Sequence, residues 1–539
     1  MAEKTTKSKK ATKVKEETLE TVLWNCRVAL RGVGSLEKNR DAVIGLVFLK
    51  FAGDKFQKRR KELENIYKDK PELLKYAVED VSFYNAENVF FLNETSRWDY
   101  IVNNASKNNI ATILDAAMKS IGELNVSLKG ALSQGLFTSL GTTPGKIKNL
   151  IDEINKINAE KFHEDDLVGR VYEYFLQIYA ASGTKEDGEF YTPASVVKLL
   201  AEIIEPYSGI VYDPCCGSGG MFVQSMKFIK SHHGNKKDIS ILGQESNPET
   251  WKLCKMNLAI RGISHNLGGK NASTFTEDLH KDKKVDFIMA NPPFNLKNWR
   301  NANELLDDSR WAGYQVPRVS NANYAWILHM ISKLDVTKGV AGFLLANGAL
   351  NDSDEFEIRK QILENDKVEA IIVLPRDMFY TTDISVTMWV LNMNKKENTV
   401  NGRKLRNREN EILFMDLRTW NDEIEEIVVD KGKKKKKTVL SDNQIAKVKE
   451  IYNNWQSEDK SKYKDIPELC KSATLEEVRE QNYSLAPSKY VEFIDHDLDI
   501  DYDKEMKRIQ EEMKEILKVE KESQLMLEKA FRGIGYEID

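Results

Sequence analysis

Apolar positions follow two different rhythms along the chain, and the change falls near Gly188. Upstream, from Leu19 to about Ile151, they recur at helical spacing. Residues 41–63 show it best: Val43, Ile44, Val47, Phe48 and Phe51 share a face ahead of a charged run at 55–64. That spacing predicts a helix packed into a small helical domain. Downstream, short β-rich runs at 209–212, 239–243, 285–290, 340–346, 368–374 and 386–392 alternate with helical stretches. Strands separated by helix and loop predict an α/β domain on a mainly parallel sheet. A final charged, helix-rich stretch at 502–531 carries Met506, Ile509, Met513 and Ile516 at 3–4 spacing. The expected organisation is a basic tail at 1–18, a helical domain at 19–155, an α/β domain at 156–480 and a C-terminal helical segment at 481–539.

Charge changes this picture only locally. The 80 Lys and Arg against 84 Asp and Glu give a net charge of -4, which excludes a DNA-coating polycation but leaves room for a basic groove. Residues 431–437, six lysines and one glycine, read as a surface loop, with a phosphate-contacting loop as the other reading. The 5 cysteines are too few and too irregular for a disulfide framework, and no C-x-x-C or histidine cluster predicts a metal site. Residues 1–15 are rich in Lys and Thr without an apolar core, and no apolar run reaches the length of a membrane span. A soluble, cytoplasmic protein is the expectation.

The chemistry concentrates where strands end. Residues 211–222 read Val-Tyr-Asp-Pro-Cys-Cys-Gly-Ser-Gly-Gly-Met-Phe: a strand ending at Asp213, a glycine-rich turn, then a helix. Glycines let backbone approach a ligand, and the helix start offers unpaired N–H groups. The turn has neither Walker A nor dinucleotide-binding spacing. The next strand ends at Glu245, where a carboxylate can accept from ribose hydroxyls, though a solvated strand-end glutamate would look the same. Asp278 follows a region with room for a third strand and could receive an adenine amine, or be a plain turn aspartate. Residues 285–294, Val-Asp-Phe-Ile-Met-Ala-Asn-Pro-Pro-Phe, deliver Asn291 to a strand end and stop the ladder with two prolines. The Asn291 amide oxygen and the Pro292 carbonyl can hold the two protons of an amine, while Phe294 offers a face for a heterocycle. Cys215 and Cys216 read as small packing residues.

The glycine turn followed by Asn-Pro-Pro-Phe resembles the signature pair of amino-methylating DNA methyltransferases. With Gly-Glu-Phe-Tyr-Thr-Pro at 188–193, it resembles the modification (HsdM) subunit of type I restriction–modification systems. The likeness extends to Leu-Arg-Gly-Val-Gly at 30–34, Asn-Ala-Asn-Tyr-Ala-Trp at 321–326 and Asn-Tyr-Ser-Leu at 482–485. It implies an S-adenosylmethionine-dependent methyltransferase domain of Rossmann-like α/β fold, between a helical domain and a helical tail. Glu189, Phe190, Tyr191, Thr192, Pro193 and Ala194 match the family's first cofactor segment. Thr192 and Pro193 also fit the N-cap and first turn of a helix at 194–204. Asp213, Gly217, Ser218, Gly219 and Gly220 match the turn beneath the cofactor's methionine part, Glu245 the ribose acid and Asp278 the adenine contact. Asn291, Pro292 and Phe294 match the catalytic segment.

The resemblance thus implies adenine-N6 methylation of double-stranded DNA, with the base flipped from the duplex. Only about 45 residues separate Phe294 from Val340, too few for a target-reading domain. The family supplies that function through a separate specificity subunit, beside a second modification subunit and a motor-nuclease restriction subunit. Two other readings remain open on sequence: methylation of a protein glutamine amide, and a catalytically silent assembly subunit.

Overall fold

The computed structural model describes residues 18–157, 167–182, 191–232, 234–380, 383–430, 433–494 and 502–533. The chain divides into two compact units, Met1–Asp465 with Leu469–Val491, and Ile466–Glu468 with Glu492–Asp539.

The first unit begins with helices, among them α1 (Leu19–Ala29), α2 (Leu36–Ile66), α3 (Ile110–Leu124), α4 (Pro144–Asn155) and α5 (Leu167–Ser182). Ser35 caps α2 by accepting from the Lys38 N–H, and Val43, Ile44, Val47, Phe48 and Phe51 are all buried. The helix outruns the pattern that predicted it because its charged last turns stay helical with Leu63 as their one buried residue. The helical core also takes in Val171, Phe175 and Ile178 of α5 and, from the α/β region, Leu253, Met256 and Ile260. The two regions therefore share a packed wall.

The α/β region holds an eight-stranded sheet. Its members are β1 (Gly209–Asp213), β2 (Ile239–Gly243), β3 (Phe287–Ala290), β4 (Val340–Ala346), β5 (Val368–Val373), β6 (Val386–Asn392), β9 (Glu411–Asp416) and β12 (Cys470–Thr474). Short pairs β7 (Asn398–Val400) with β8 (Arg403–Leu405), and β10 (Ile424–Asp430) with β11 (Lys433–Thr438), stand apart. The order is β12-β9-β5-β6-β4-β3-β1-β2. β1, β2, β3 and β4 run parallel, whereas β6 is antiparallel to both its neighbours. Strand side chains alternate between two cores: Val211, Leu344 and Ile372 face one, Tyr212, Phe343 and Ile371 the other. Burial on both faces is why these strands read as continuous apolar runs.

One expectation fails here. Lys431 and Gly432 of the lysine run lie outside the described residues, and Lys433 to Lys437 are not a loop but belong to β11, where Lys436 sits opposite Glu426. Lys434 also pairs with Glu426, at 2.6 Å, and Lys437 is buried with its Nζ 3.0 Å from Asp383. Cross-strand pairing with an acidic strand neutralises lysines whose like charges alone would disfavour a strand. The region before Asp278, which has room for a third strand, holds none and makes a single bridge there, Leu242 to Asn266.

In the second unit, the helix Tyr502–Gly533 spans 32 residues and none of its described residues is buried.

Candidate functional site

From β1 the chain passes to β2 on one side, then returns to β3 on the other. The carboxyl ends of β1 and β3 thus diverge at a topological switch point, where open α/β sheets form ligand crevices. A cleft of about 400 Å³ opens there.

The glycine turn forms its floor. Gly217 has φ +52° and Gly219 φ +86°, left-handed values that side chains rarely adopt. The turn presses on α8 (Pro248–Ile260; α6 is Ala194–Ile204 and α7 Gly220–Ser231). A Cβ on Gly219 would lie 2.9 Å from Cys254 Sγ. Asn257 of α8 donates its side-chain amide to the Ser218 carbonyl at 2.8 Å. The Cys216 N–H donates to the Gln244 carbonyl at 2.9 Å, and the Gln244 N–H to the Asp213 carbonyl at 3.0 Å, tying the two strand ends together. Burial pushes the Cys215 thiol up, and the Cys254 thiol, then burial, does the same to Cys216. Neither is a thiolate, and both line the cleft.

Two carboxylates stand beside the turn. Burial raises Asp213 to about 7, against the opposing pull of the Cys215 N–H that donates to it at 3.0 Å. Glu245 is also raised by burial, although it accepts from the Gly217 N–H at 3.0 Å and the Asn247 N–H at 2.8 Å. With the Ser246 hydroxyl donating to Oε1 at 3.3 Å as well, these bonds fix its side chain and leave acceptor capacity chiefly on Oε2.

β3 ends at Ala290, and Asn291 follows at once. Its Nδ2 donates to Thr192 Oγ1 at 2.9 Å, while its buried Oδ1 has no hydrogen-bond partner. Thr192 is therefore not the helix cap it was expected to be. Pro193 holds the N-cap position of α6, with no side-chain cap bond, and the Thr192 hydroxyl is turned to Asn291.

Tyr191, Thr192, Ala194, Asp213, Gly217, Ser218, Gly220, Glu245 and Asn291 line the one cleft. Pro193, Gly219, Pro292 and Phe294 are not among the lining residues; Pro293 is, and the Phe294 ring stands 6.3 Å from Phe379, edge to face. Glu189 and Phe190 lie outside the described residues. Asp278 does not reach the cleft: its carboxylate is 2.5 Å from Lys333 Nζ and accepts from the His280 N–H at 2.9 Å. Ser273, Thr274 and Phe275, three to five residues upstream, line the cleft from this segment. Sequence reading also missed Glu173 and Leu176 of α5, Arg261 at the C-cap of α8, and Trp299 and Trp326. Tertiary packing brings these in without any local motif, although Trp326 closes the segment Asn-Ala-Asn-Tyr-Ala-Trp.

Comparisons with known proteins identify the family. Residues 163–498 match the N-6 DNA Methylase family and residues 19–156 the HsdM N-terminal domain. The chain is 40% identical to the type I restriction enzyme HindI methylase subunit of Haemophilus influenzae, over 79% of this chain and 93% of the relative. It is 31% identical to the MjaIX methylase subunit of Methanocaldococcus jannaschii, over 96% of this chain and 91% of the relative. In fold it is similar to the methyltransferase subunit of a type I restriction–modification system from Streptococcus thermophilus, with TM-score 0.69, 23% identity, and coverage of 88% of this chain and 98% of that one.

Proposed function

This chain belongs to the N-6 DNA methylase family, and from that premise we propose how its residues carry out adenine-N6 methylation as the methylase subunit of a type I restriction enzyme. The observation that carries the assignment of roles is the meeting of Asn291, the glycine turn and Glu245 in one cleft at the sheet's switch point.

The residues present fit S-adenosylmethionine. Left-handed Gly217 gives backbone close approach, Asp213 supplies negative charge for a cationic ligand, and Glu245 keeps acceptor capacity for ribose hydroxyls. Ser273, Thr274 and Phe275 replace Asp278 as the wall for the nucleoside end. When bound, this cofactor supplies an electrophilic methyl group, so the chain's task is positioning and exclusion of water.

The target adenine leaves the duplex to reach Asn291, because amine chemistry cannot proceed inside the stack. Thr192 engages Asn291 Nδ2, which leaves Oδ1 as the acceptor for the exocyclic amine. Pro292, with its carbonyl free of the strand ladder, takes the amine's second proton, and Phe294 flanks the base after a side-chain movement. Held by two acceptors, the amine would turn its lone pair toward the cofactor; the new N–C bond would replace the sulfonium S–C bond, leaving a neutral thioether, and the surplus amine proton would pass to solvent.

Target choice requires a specificity subunit, since residues 295–339 form loops and one helix rather than a reading domain. The working complex adds a second methylase subunit and, for restriction, a motor-nuclease subunit. Among the described residues, no helix is long and apolar enough to cross a membrane. Methylation of a protein glutamine is disfavoured by the match of relatives across nearly the whole chain. A silent assembly role is disfavoured by intact Asn291 and Gly217.

Mapping of methylated bases in genomic DNA, with and without the gene, tests the proposal. N6-methyladenine at a defined sequence motif is expected; unchanged methylation on deletion would overturn it.

A further inference from the structure

We propose that Arg310 is a positioning residue for cofactor binding, clamping the wall formed by Ser273, Thr274 and Phe275 to the loop that follows the catalytic segment. The inference rests on the reading of the cleft as the S-adenosylmethionine site.

Arg310 lies in a single turn, Ser309–Trp311, within that loop. Its guanidinium spends every donor. Nε donates to Asp308 Oδ1 at 2.8 Å and Nη2 to Asp308 Oδ2 at 2.7 Å, a fork on one carboxylate. Nη2 also donates to the Phe275 carbonyl at 2.6 Å, and Nη1 to the Thr274 carbonyl at 3.0 Å. The last N–H of Nη1 points to His329 Nδ1 at 3.4 Å.

Each end of this clamp is itself anchored. His329 is fully buried and held well below its ordinary pKa by burial, then by Arg310 and Lys333. Arginine cannot accept, so Nδ1 is the bare nitrogen and Nε2 carries the proton, 3.1 Å from the Tyr212 hydroxyl. Tyr212 immediately precedes Asp213 on β1. At the other end, Thr274 Oγ1 donates to the Pro214 carbonyl at 2.5 Å, at the start of the glycine turn. The Phe275 ring packs 4.5 Å from Trp299 and 4.2 Å from Trp326, both of which line the cleft. Three backbone segments that touch the cleft, at 213–220, 273–275 and 296–299, thus share one guanidinium or its direct partners.

No other side chain has this donor set. Lysine offers three donors from a point and cannot span Asp308, two carbonyls and an imidazole together. Arg310→Lys keeps charge and most of the volume, so it loosens the wall without emptying the site.

The test uses the full chain, titrated with S-adenosylmethionine by calorimetry, and the chain with its specificity subunit on cognate DNA. Arg310→Lys is expected to weaken cofactor binding about tenfold or more, the effect of losing hydrogen bonds to a charged group. KM for cofactor should rise in step, while kcat at saturating cofactor stays within about threefold. Arg310→Ala should weaken binding further. An unchanged cofactor dissociation constant in folded Arg310→Lys would overturn the proposal, as would loss of folding in both variants, which makes the residue structural. A fall in kcat with unchanged KM would also overturn it. If the unsubstituted chain itself fails to bind the cofactor, the reading of the cleft falls instead.

Discussion

Asn291 and Thr192, 99 residues apart, meet through one hydrogen bond, Nδ2 to Oγ1 at 2.9 Å. The bond joins the segment after β3 to the segment before α6, and it decides which end of the Asn291 amide is spent. With Nδ2 engaged, the acceptor Oδ1 is the atom left without a partner. A base amine needs an acceptor, so the orientation of the amide is set before substrate arrives.

Asn291→Ala should lower methyl transfer by about 10²–10³-fold, the scale of losing one preorganised polar contact to the reacting group. Cofactor affinity should hold within a few-fold, because the glycine turn and Glu245 are untouched. Thr192→Val keeps shape but removes the acceptor, freeing the amide to turn; a roughly tenfold fall in rate is expected. Single-turnover assays on the assembled complex separate the two. Near-normal transfer by Asn291→Ala would remove it from the reaction.

The glycine turn makes a different prediction. At φ +52°, Gly217 occupies a conformation in which a β-branched residue is strained, and its side chain would enter the cleft. Gly217→Val is expected to abolish measurable cofactor binding. Gly219→Ala, whose Cβ would meet Cys254 Sγ at 2.9 Å, should instead cost stability, on the order of 1–3 kcal/mol. Calorimetric titration and thermal unfolding of the two variants would show the contrast. Cofactor binding by Gly217→Val at ordinary affinity contradicts the placement of the ligand over this turn.

The strand ends were legible in the sequence because both ligand-facing turns carry residues that strands and helices avoid. Glycines after Asp213 and prolines after Asn291 announce themselves locally. Packing chose the rest. The Thr192 hydroxyl is claimed by a residue far along the chain, which no helix-capping rule anticipates. Asp278 has the residue type of a ligand contact, yet Lys333 is close enough to claim its charge. The lysine strand was misread because its stabilising glutamates lie on another strand, and pairing across strands is not a local pattern. Glu173 and Leu176 reach the cleft from α5, which lies in the region read as the α/β domain yet packs into one core with the helical domain and α8.

Asp213 predicts a pH dependence. Burial raises its carboxyl to about 7, so it is part-protonated near neutrality. A cationic ligand favours the ionised form, so cofactor affinity should climb as pH rises through about 7, with proton release on binding. Stability runs the other way: the folded chain holds a proton that the unfolded chain has lost above the ordinary carboxylate range. This group's contribution therefore declines as pH rises toward 7. Asp213→Asn should flatten the affinity profile. Titrations in buffers of different ionisation heat would count the proton, and an unchanged slope in the variant would assign it to another group.

The carboxyl-terminal helix makes the last prediction. Tyr502–Gly533 carries no buried residue, and its apolar line of Met506, Ile509, Met513 and Ile516 is exposed at 46%, 43%, 60% and 66%. A helix this charged, with so narrow a stripe, gains little from folding alone. A stripe of that width suits a partner helix, and the proposed specificity subunit is the partner that catalysis requires. Truncation after Asp501 should leave cofactor binding intact, since the glycine turn and Asn291 lie in the other compact unit. The truncated chain should co-purify poorly with the specificity subunit and lose site-specific methylation. Met513→Lys combined with Ile516→Lys should reproduce the defect with the chain at full length, because each places a charge in the stripe. Full assembly by both variants would refute the tether, and loss of soluble expression on truncation would show that the helix serves its own fold.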